Sequence, residues 1–172
     1  ENRRHWDAMA HTWVDAGERS WAQADPTWGI WGLAEADLQM LPQDMHTQHA
    51  IELGCGTAYV SAWMARRGAR VFALDNSARQ LATAARLKAQ HGLAIDFVHA
   101  SAEQIPCKDA QFDFAISEYG AAIWCDPLVW IAQAHRVLKP GGRLTFLGTH
   151  PLVHVATSAN GDLCETQLHR PY

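Results

Sequence analysis

The chain has 172 residues, 48% of them hydrophobic and 19% charged, which suits one domain with a real buried core. A net charge of −4 without any Lys/Arg run excludes the basic footprint of a nucleic-acid binder. There is no run of 18 apolar residues and no signal-peptide pattern, so no membrane partner is expected and a cytoplasmic enzyme is.

In chain order, residues 1–47 hold five of the eight tryptophans. Trp6, Met9, Ala10, Trp13 and Val14 recur at helical spacing, which predicts an amphipathic helix over 3–16 that Gly17 ends. Residues 18–32 read as irregular, and 33–40 as a short helix stopped by Pro42. From residue 49 the pattern becomes one of short apolar runs alternating with helices. Strands are predicted at His49–Leu53, Arg70–Leu74, Ile95–His99, Phe112–Ser117 and Arg143–Gly148. Helices are predicted over 58–67, stopped by Gly68, and over 78–90, with Ser77 as N-cap and Gly92 past the end. Asp126-Pro127 has the N-cap and first-turn signature of a helix running to Leu138, and 139–142 reads as a turn. Strands alternating with helices imply an α/β, Rossmann-like sandwich with a mostly parallel sheet.

Four cysteines (Cys55, Cys107, Cys125, Cys164) form no CxxC pair and read as reduced thiols. The histidines form no HExxH and no Cys/His knuckle, so no metal is expected. His150 and His154 are four apart, but Pro151 argues against a regular helix across them.

Two stretches carry ligand chemistry. In Ile51-Glu52-Leu53-Gly54-Cys55-Gly56-Thr57 a strand enters a glycine turn before a helix, where a ligand can approach the backbone and the helix N–H groups. Asp75 follows the second strand and can accept from both hydroxyls of a ribose. Together they favour an adenosine ligand. A dinucleotide fingerprint wants a small residue three after Gly56, where this chain has Tyr59. Glu52 suits the ammonium of S-adenosylmethionine rather than a pyrophosphate. An NAD-dependent oxidoreductase and a non-catalytic S-adenosylmethionine-binding module stay open as alternatives.

Glu52-Leu53-Gly54-Cys55-Gly56-Thr57 resembles the first motif of class I S-adenosylmethionine-dependent methyltransferases. Leu74-Asp75-Asn76-Ser77 is similar to the family's ribose-binding turn, and Ala100 to Pro106 to its adenine-contacting loop. Phe112 to Ser117 resembles its fourth strand, and Arg136 to Leu144 its turn into the fifth. The likeness covers about 49–148 and lies nearest the small-molecule branch that includes ubiquinone/menaquinone-type methyltransferases. It implies methyl transfer from S-adenosylmethionine to a small-molecule acceptor. It also implies that Gly54, Cys55 and Gly56 line the methionine part, that Asp75 holds the ribose and that Asn76 flanks the adenine. Ala102 would offer its N–H to the adenine. Ser101 stands where the family has Asp, and Ser117 would approach the methionine end. Trp6-Asp7-x-x-Ala10-x-x-Trp13 resembles the family's aromatic segment that closes over the cofactor, with Trp13 as the cover.

A base is needed only for a hydroxyl or protonated amine acceptor. Glu118, Tyr119, His150 and His154 are the candidates, because both of their stretches follow a strand at the ligand edge of the sheet. Ile123 and Trp124 suggest an apolar acceptor pocket. Three regions are expected: a Trp-rich helical cap at 1–47, a cofactor core at 48–150 and the start of a substrate-side segment at 151–172. The family's sheet has seven strands ending in an antiparallel hairpin. The stretch after Gly148 is too short for that, and the chain starts at Glu1, so a fragment with about five strands is expected.

Overall fold

Alternation along the first core strand sets the layers. In β3 (His49–Leu53), Ala50 packs into one hydrophobic cluster while Ile51 and Leu53 pack into the other, on opposite faces of the sheet. The computed structural model describes residues 1–158 and 166–169. Cys164 and part of the expected 151–172 segment therefore lie outside the described residues.

The N-terminal region comprises α1 (Asn2–Met9), a 3-10 turn (Ala10–Trp13), α2 (Val14–Ala22), β1 (Thr27–Trp28), β2 (Leu33–Ala34) and α3 (Glu35–Leu38). The core follows β3 with α4 (Tyr59–Arg66), β4 (Arg70–Asp75), α5 (Ala78–His91), β5 (Ile95–His99) and β6 (Phe112–Glu118). It continues with α6 (Gly120–Trp124), α7 (Pro127–Val137), β7 (Leu138–Leu147) and α8 (Pro151–Ala156). Among the described residues the main sheet has five strands, all parallel, in the order β5-β4-β3-β6-β7. The expected Rossmann-like α/β sandwich with a mostly parallel sheet is present. The order reverses at β3, which pairs with β4 on one side and β6 on the other, so the crevice opens beyond the carboxyl ends of these strands.

Several boundaries follow their local signals. Ser77 caps α5 by accepting the Gln80 N–H, and Gly92 ends it in a left-handed conformation. Asp126 caps α7 by accepting the Leu128 N–H ahead of Pro127.

Four expectations are corrected. Gly17 does not end a helix; it lies inside α2, and a Cβ there would stand 2.6 Å from Thr57 Oγ1. Its missing side chain serves helix packing, so helix runs on through 18–22. Residues 18–32 are thus not wholly irregular, and Thr27–Trp28 pairs antiparallel with Leu33–Ala34. The turn at 139–142 is a bulge within β7, where pairing jumps from Phe112–Leu138 to Phe114–Arg143. Pro151 opens a helix rather than preventing one: it occupies the first turn of α8, where a missing N–H costs nothing, and His150 is the N-cap.

Buried Glu35 anchors the N-terminal region to the core. Its carboxylate accepts Trp28 Nε1 at 2.7 Å and the Met40 and Leu41 N–H groups at 3.0 Å, and it pairs with Arg67 at 3.1 Å. Fully buried Trp21 donates its indole N–H to Thr57 O at 2.7 Å, which pins α2 against the glycine turn.

Candidate functional site

The glycine turn after β3 is built on its neighbours. Gly54 and Cys55 N–H both donate to Leu74 O at the end of β4 (2.8 and 2.9 Å). Gly54 adopts φ +77° and Gly56 φ +52°. The space over Gly54 is taken by protein: a Cβ there would stand 2.7 Å from Ala121 N and 2.8 Å from Gly120 Cα. At Gly56 a Cβ would meet nothing within 4 Å.

Asp75 joins this turn to the next helix. One oxygen accepts the Gly56 N–H at 2.7 Å and the other the Ser77 N–H at 2.8 Å. Burial raises its pKa against the lowering effect of the N–H groups of Ser77, Gly56 and Asn76. Each oxygen keeps a free lone pair for a further donor.

One cleft brings together Glu52, Gly54, Cys55, Gly56, Asp75, Asn76 and Ala102 with Trp13, Glu118 and Tyr119. Trp6, Trp13 and Trp124 gather at it, with ring centroids 6.3 Å apart for Trp6–Trp13 and 5.1 Å for Trp6–Trp124. Helix α1 is held across the cleft at both ends. Ser77 Oγ donates to Asp7 at 2.7 Å, and Asn2 Nδ2 donates to Trp124 O at 2.6 Å.

Four expected site residues do not reach the cleft. Ser117 is fully buried; its hydroxyl donates to Leu53 O at 2.8 Å and accepts the Ala122 N–H at 3.1 Å, so it latches β6 to β3. Ser101 accepts the Glu103 N–H at 3.2 Å and bonds the Cys125 thiol, while Ala100 and Ala102 line the cleft. His150 is spent on capping α8 and His154 lies further along that helix, both apart from the cleft. Among the described residues no three His, Cys, Asp or Glu side chains converge as a metal site would require.

Glu118 is nearly buried. It accepts the Gly29 N–H at 2.9 Å and the Tyr59 hydroxyl. Burial pushes its pKa up, against the Tyr59 and Gly29 bonds. Tyr59, which argued against a dinucleotide, thus holds an acid at the end of β6. Sequence reasoning missed Gln80, which lines the cleft from α5, and Gly120, whose position just after a strand end was a usable signal.

Glu52 sits on the β3 face under α4, where Ser61 donates to it from both N–H (2.8 Å) and Oγ (2.5 Å). Desolvation still dominates these bonds and raises its pKa to about 8, with the Glu118 and Asp75 charges adding to the rise. A group raised in the folded state contributes stability at low pH that is lost as pH rises through the folded value. The wild-type melting temperature should therefore fall from about pH 5 to about pH 8. Glu52→Gln should fall less, so that thermal melts of the two diverge with pH; parallel curves would remove Glu52 as the cause.

The family described as Methyltransferase domain matches residues 51–146. The chain is 38% identical over 114 residues to the malonyl-[acyl-carrier protein] O-methyltransferase of Enterobacter lignolyticus, covering 66% of this chain and 43% of that protein. It is 34% identical over 92 residues to the ubiquinone biosynthesis O-methyltransferase of Cereibacter sphaeroides, covering 54% and 37%. The chain spans less than half the length of these curated relatives. Among solved structures, an S-adenosylmethionine-dependent methyltransferase from Mesorhizobium loti superposes with a TM-score of 0.63 at 30% identity, covering 75% of this chain and 59% of that one.

Proposed function

Because the chain belongs to the Methyltransferase domain family, with the fold of class I S-adenosylmethionine-dependent methyltransferases, we propose that its cleft binds S-adenosylmethionine for methyl transfer to a small molecule. The observation that carries this is one cleft at the sheet's order reversal holding both the Gly54–Thr57 turn and Asp75. The residues fit the cofactor. Asp75 keeps lone pairs for two ribose hydroxyls, open space faces Gly56, and aromatic rings supply faces for a sulfonium. When bound, S-adenosylmethionine supplies a methyl group already activated on sulfur.

In this reading Gly54, Cys55 and Gly56 lie along the methionine part, with Glu52 near its ammonium. Asn76 and Ala102 flank the adenine, and Trp13 on the 1–47 cap closes over the ligand while 48–150 forms the cofactor core. The protein's contribution is to align the acceptor and exclude water. Glu118 and Tyr119 remain the candidates for handling an acceptor proton, since both line the cleft. Among the described residues no helix is long and apolar enough to cross a membrane. With the acidic net charge, this supports a cytoplasmic setting without a nucleic-acid partner.

Thermal melts in S-adenosylmethionine, S-adenosylhomocysteine and NAD test the proposal. At about a hundred times its dissociation constant, a ligand adds roughly 2.7 kcal/mol, a shift of roughly 5 to 10 °C at this size. The first two should shift the melt and NAD should not. A shift with NAD alone would move the reading to a dinucleotide enzyme.

A further inference from the structure

The cleft has one kind of ionisable side chain. Among the described residues lining it, the acids are Glu52, Asp75 and Glu118, and no Lys, Arg or His lines it. Their exposures are 2%, 9% and 8%, so all three carboxylates are withdrawn from water. A second observation makes the same demand. Gln80 lines the cleft, is 4% exposed, and its Oε1 has no hydrogen-bond partner. Whatever fills the cleft must bring positive charge and hydrogen-bond donors.

The three acids are not equivalent. Asp75 faces the glycine turn and α5, as suits a ribose. Glu52 lies under α4 against Ser61, on the side read as the methionine end. Asp75 and Glu52 are thus the acids on the ribose and methionine sides of S-adenosylmethionine. Glu118 is the acid left over. It ends β6, held between the Gly29 N–H and the Tyr59 hydroxyl, with Tyr119 next in the chain. Aromatic rings beside a desolvated carboxylate make a setting that favours a cation.

We propose that the methyl acceptor is an amine, received in its ammonium form between Tyr59 and Tyr119 by Glu118, which takes one proton from it and so frees the nitrogen lone pair that forms the new N–C bond as the S–C bond of the sulfonium breaks. The proposal rests on reading the cleft as the S-adenosylmethionine site. A carboxylate or phosphate acceptor would meet Glu118 with no cation to receive it, a like-charge juxtaposition. Gly29 N–H and the Tyr59 hydroxyl bond different oxygens of Glu118, so in a glutamine the amide oxygen keeps the Gly29 N–H while the amide NH2 donates to the Tyr59 hydroxyl oxygen, whose own proton turns away.

Three probes that share a ring and differ in head group test this: 2-phenylethylamine, 2-phenylethanol and phenylacetate. Trp6, Trp13 and Trp124 line the cleft and report binding by fluorescence. The amine should bind about tenfold more tightly than the alcohol, with phenylacetate weakest. Glu118→Gln should erase the advantage of the amine and Glu118→Asp should keep it, both variants retaining the wild-type circular dichroism. Phenylacetate binding as well as the amine, an advantage surviving in Glu118→Gln, or no binding of any probe would overturn the proposal. Each titration is run with and without S-adenosylhomocysteine, whose own binding is measured separately. Failure of the cofactor reading then shows as no S-adenosylhomocysteine binding, whatever the amine does.

Discussion

Gly120→Ala is expected to lower the melting temperature by roughly 6 to 12 °C, from a destabilisation of about 3 kcal/mol in a chain of this length. The ideal Cβ would stand 2.2 Å from Gly54 O and 2.8 Å from Gly54 C and Cα. These are backbone atoms, so no side chain can turn away, and relief needs the glycine turn and α6 to part. The turn is itself fixed by the donation of Gly54 and Cys55 N–H to Leu74 O, so the strain reaches β4. Gly148→Ala is the internal control, because its nearest atom would be Ala122 O at 3.9 Å and its φ is not in the left-handed region. Calorimetric or circular-dichroism melts of both variants decide the matter. Gly120→Ala melting within about 2 °C of Gly148→Ala would mean that the contact relaxes cheaply.

Asp75→Asn is expected to weaken S-adenosylhomocysteine binding about a hundredfold, or about 2.7 kcal/mol. Both carboxylate oxygens accept backbone N–H groups, from Gly56 and Ser77. An amide offers one oxygen and one NH2, so one of those buried N–H groups would face a donor instead. Leaving such a group unpaired costs about 1–3 kcal/mol, and the variant also loses an acceptor for a ribose hydroxyl. Calorimetric titration checks the affinity, and a parallel melt shows how much of the loss is the loosened turn. Binding within threefold of wild type would take Asp75 out of the ligand site.

How much of this was legible in the sequence differs from residue to residue. Ile95–His99 was readable to its ends because an apolar alternation is bounded by Gly92 on one side and Ser101 on the other. Ser77 and Asp126 were readable because a cap is made within a few residues. That Gly54, Gly56 and Asp75 come together in one cleft was readable because the two strand ends that carry them neighbour each other in a parallel sheet. Gly17 and Pro151 misled because their local tendency has two uses. Gly17 can stop a helix or admit a neighbour, and Thr57, forty residues on, selects the second. Pro151 can break a helix or begin one, and the preceding His150 cap selects the second.

Hydrophobic period, glycine turns and helix caps act over a few residues, so the amino-acid order alone determined the α/β alternation, the sheet edge at which the cleft lies and the acid at the end of β4. Only the tertiary structure decided where each polar side chain spends its hydrogen bonds. Ser117 and Glu118 are adjacent in one strand, yet Ser117 turns into the sheet to latch Leu53 while Glu118 faces the cleft between Gly29 and Tyr59. A buried polar atom must be paired, and its partner comes from whichever distant segment folds against it. That choice, made 64 residues away for Ser117 and 89 for Glu118, leaves no mark on the local pattern.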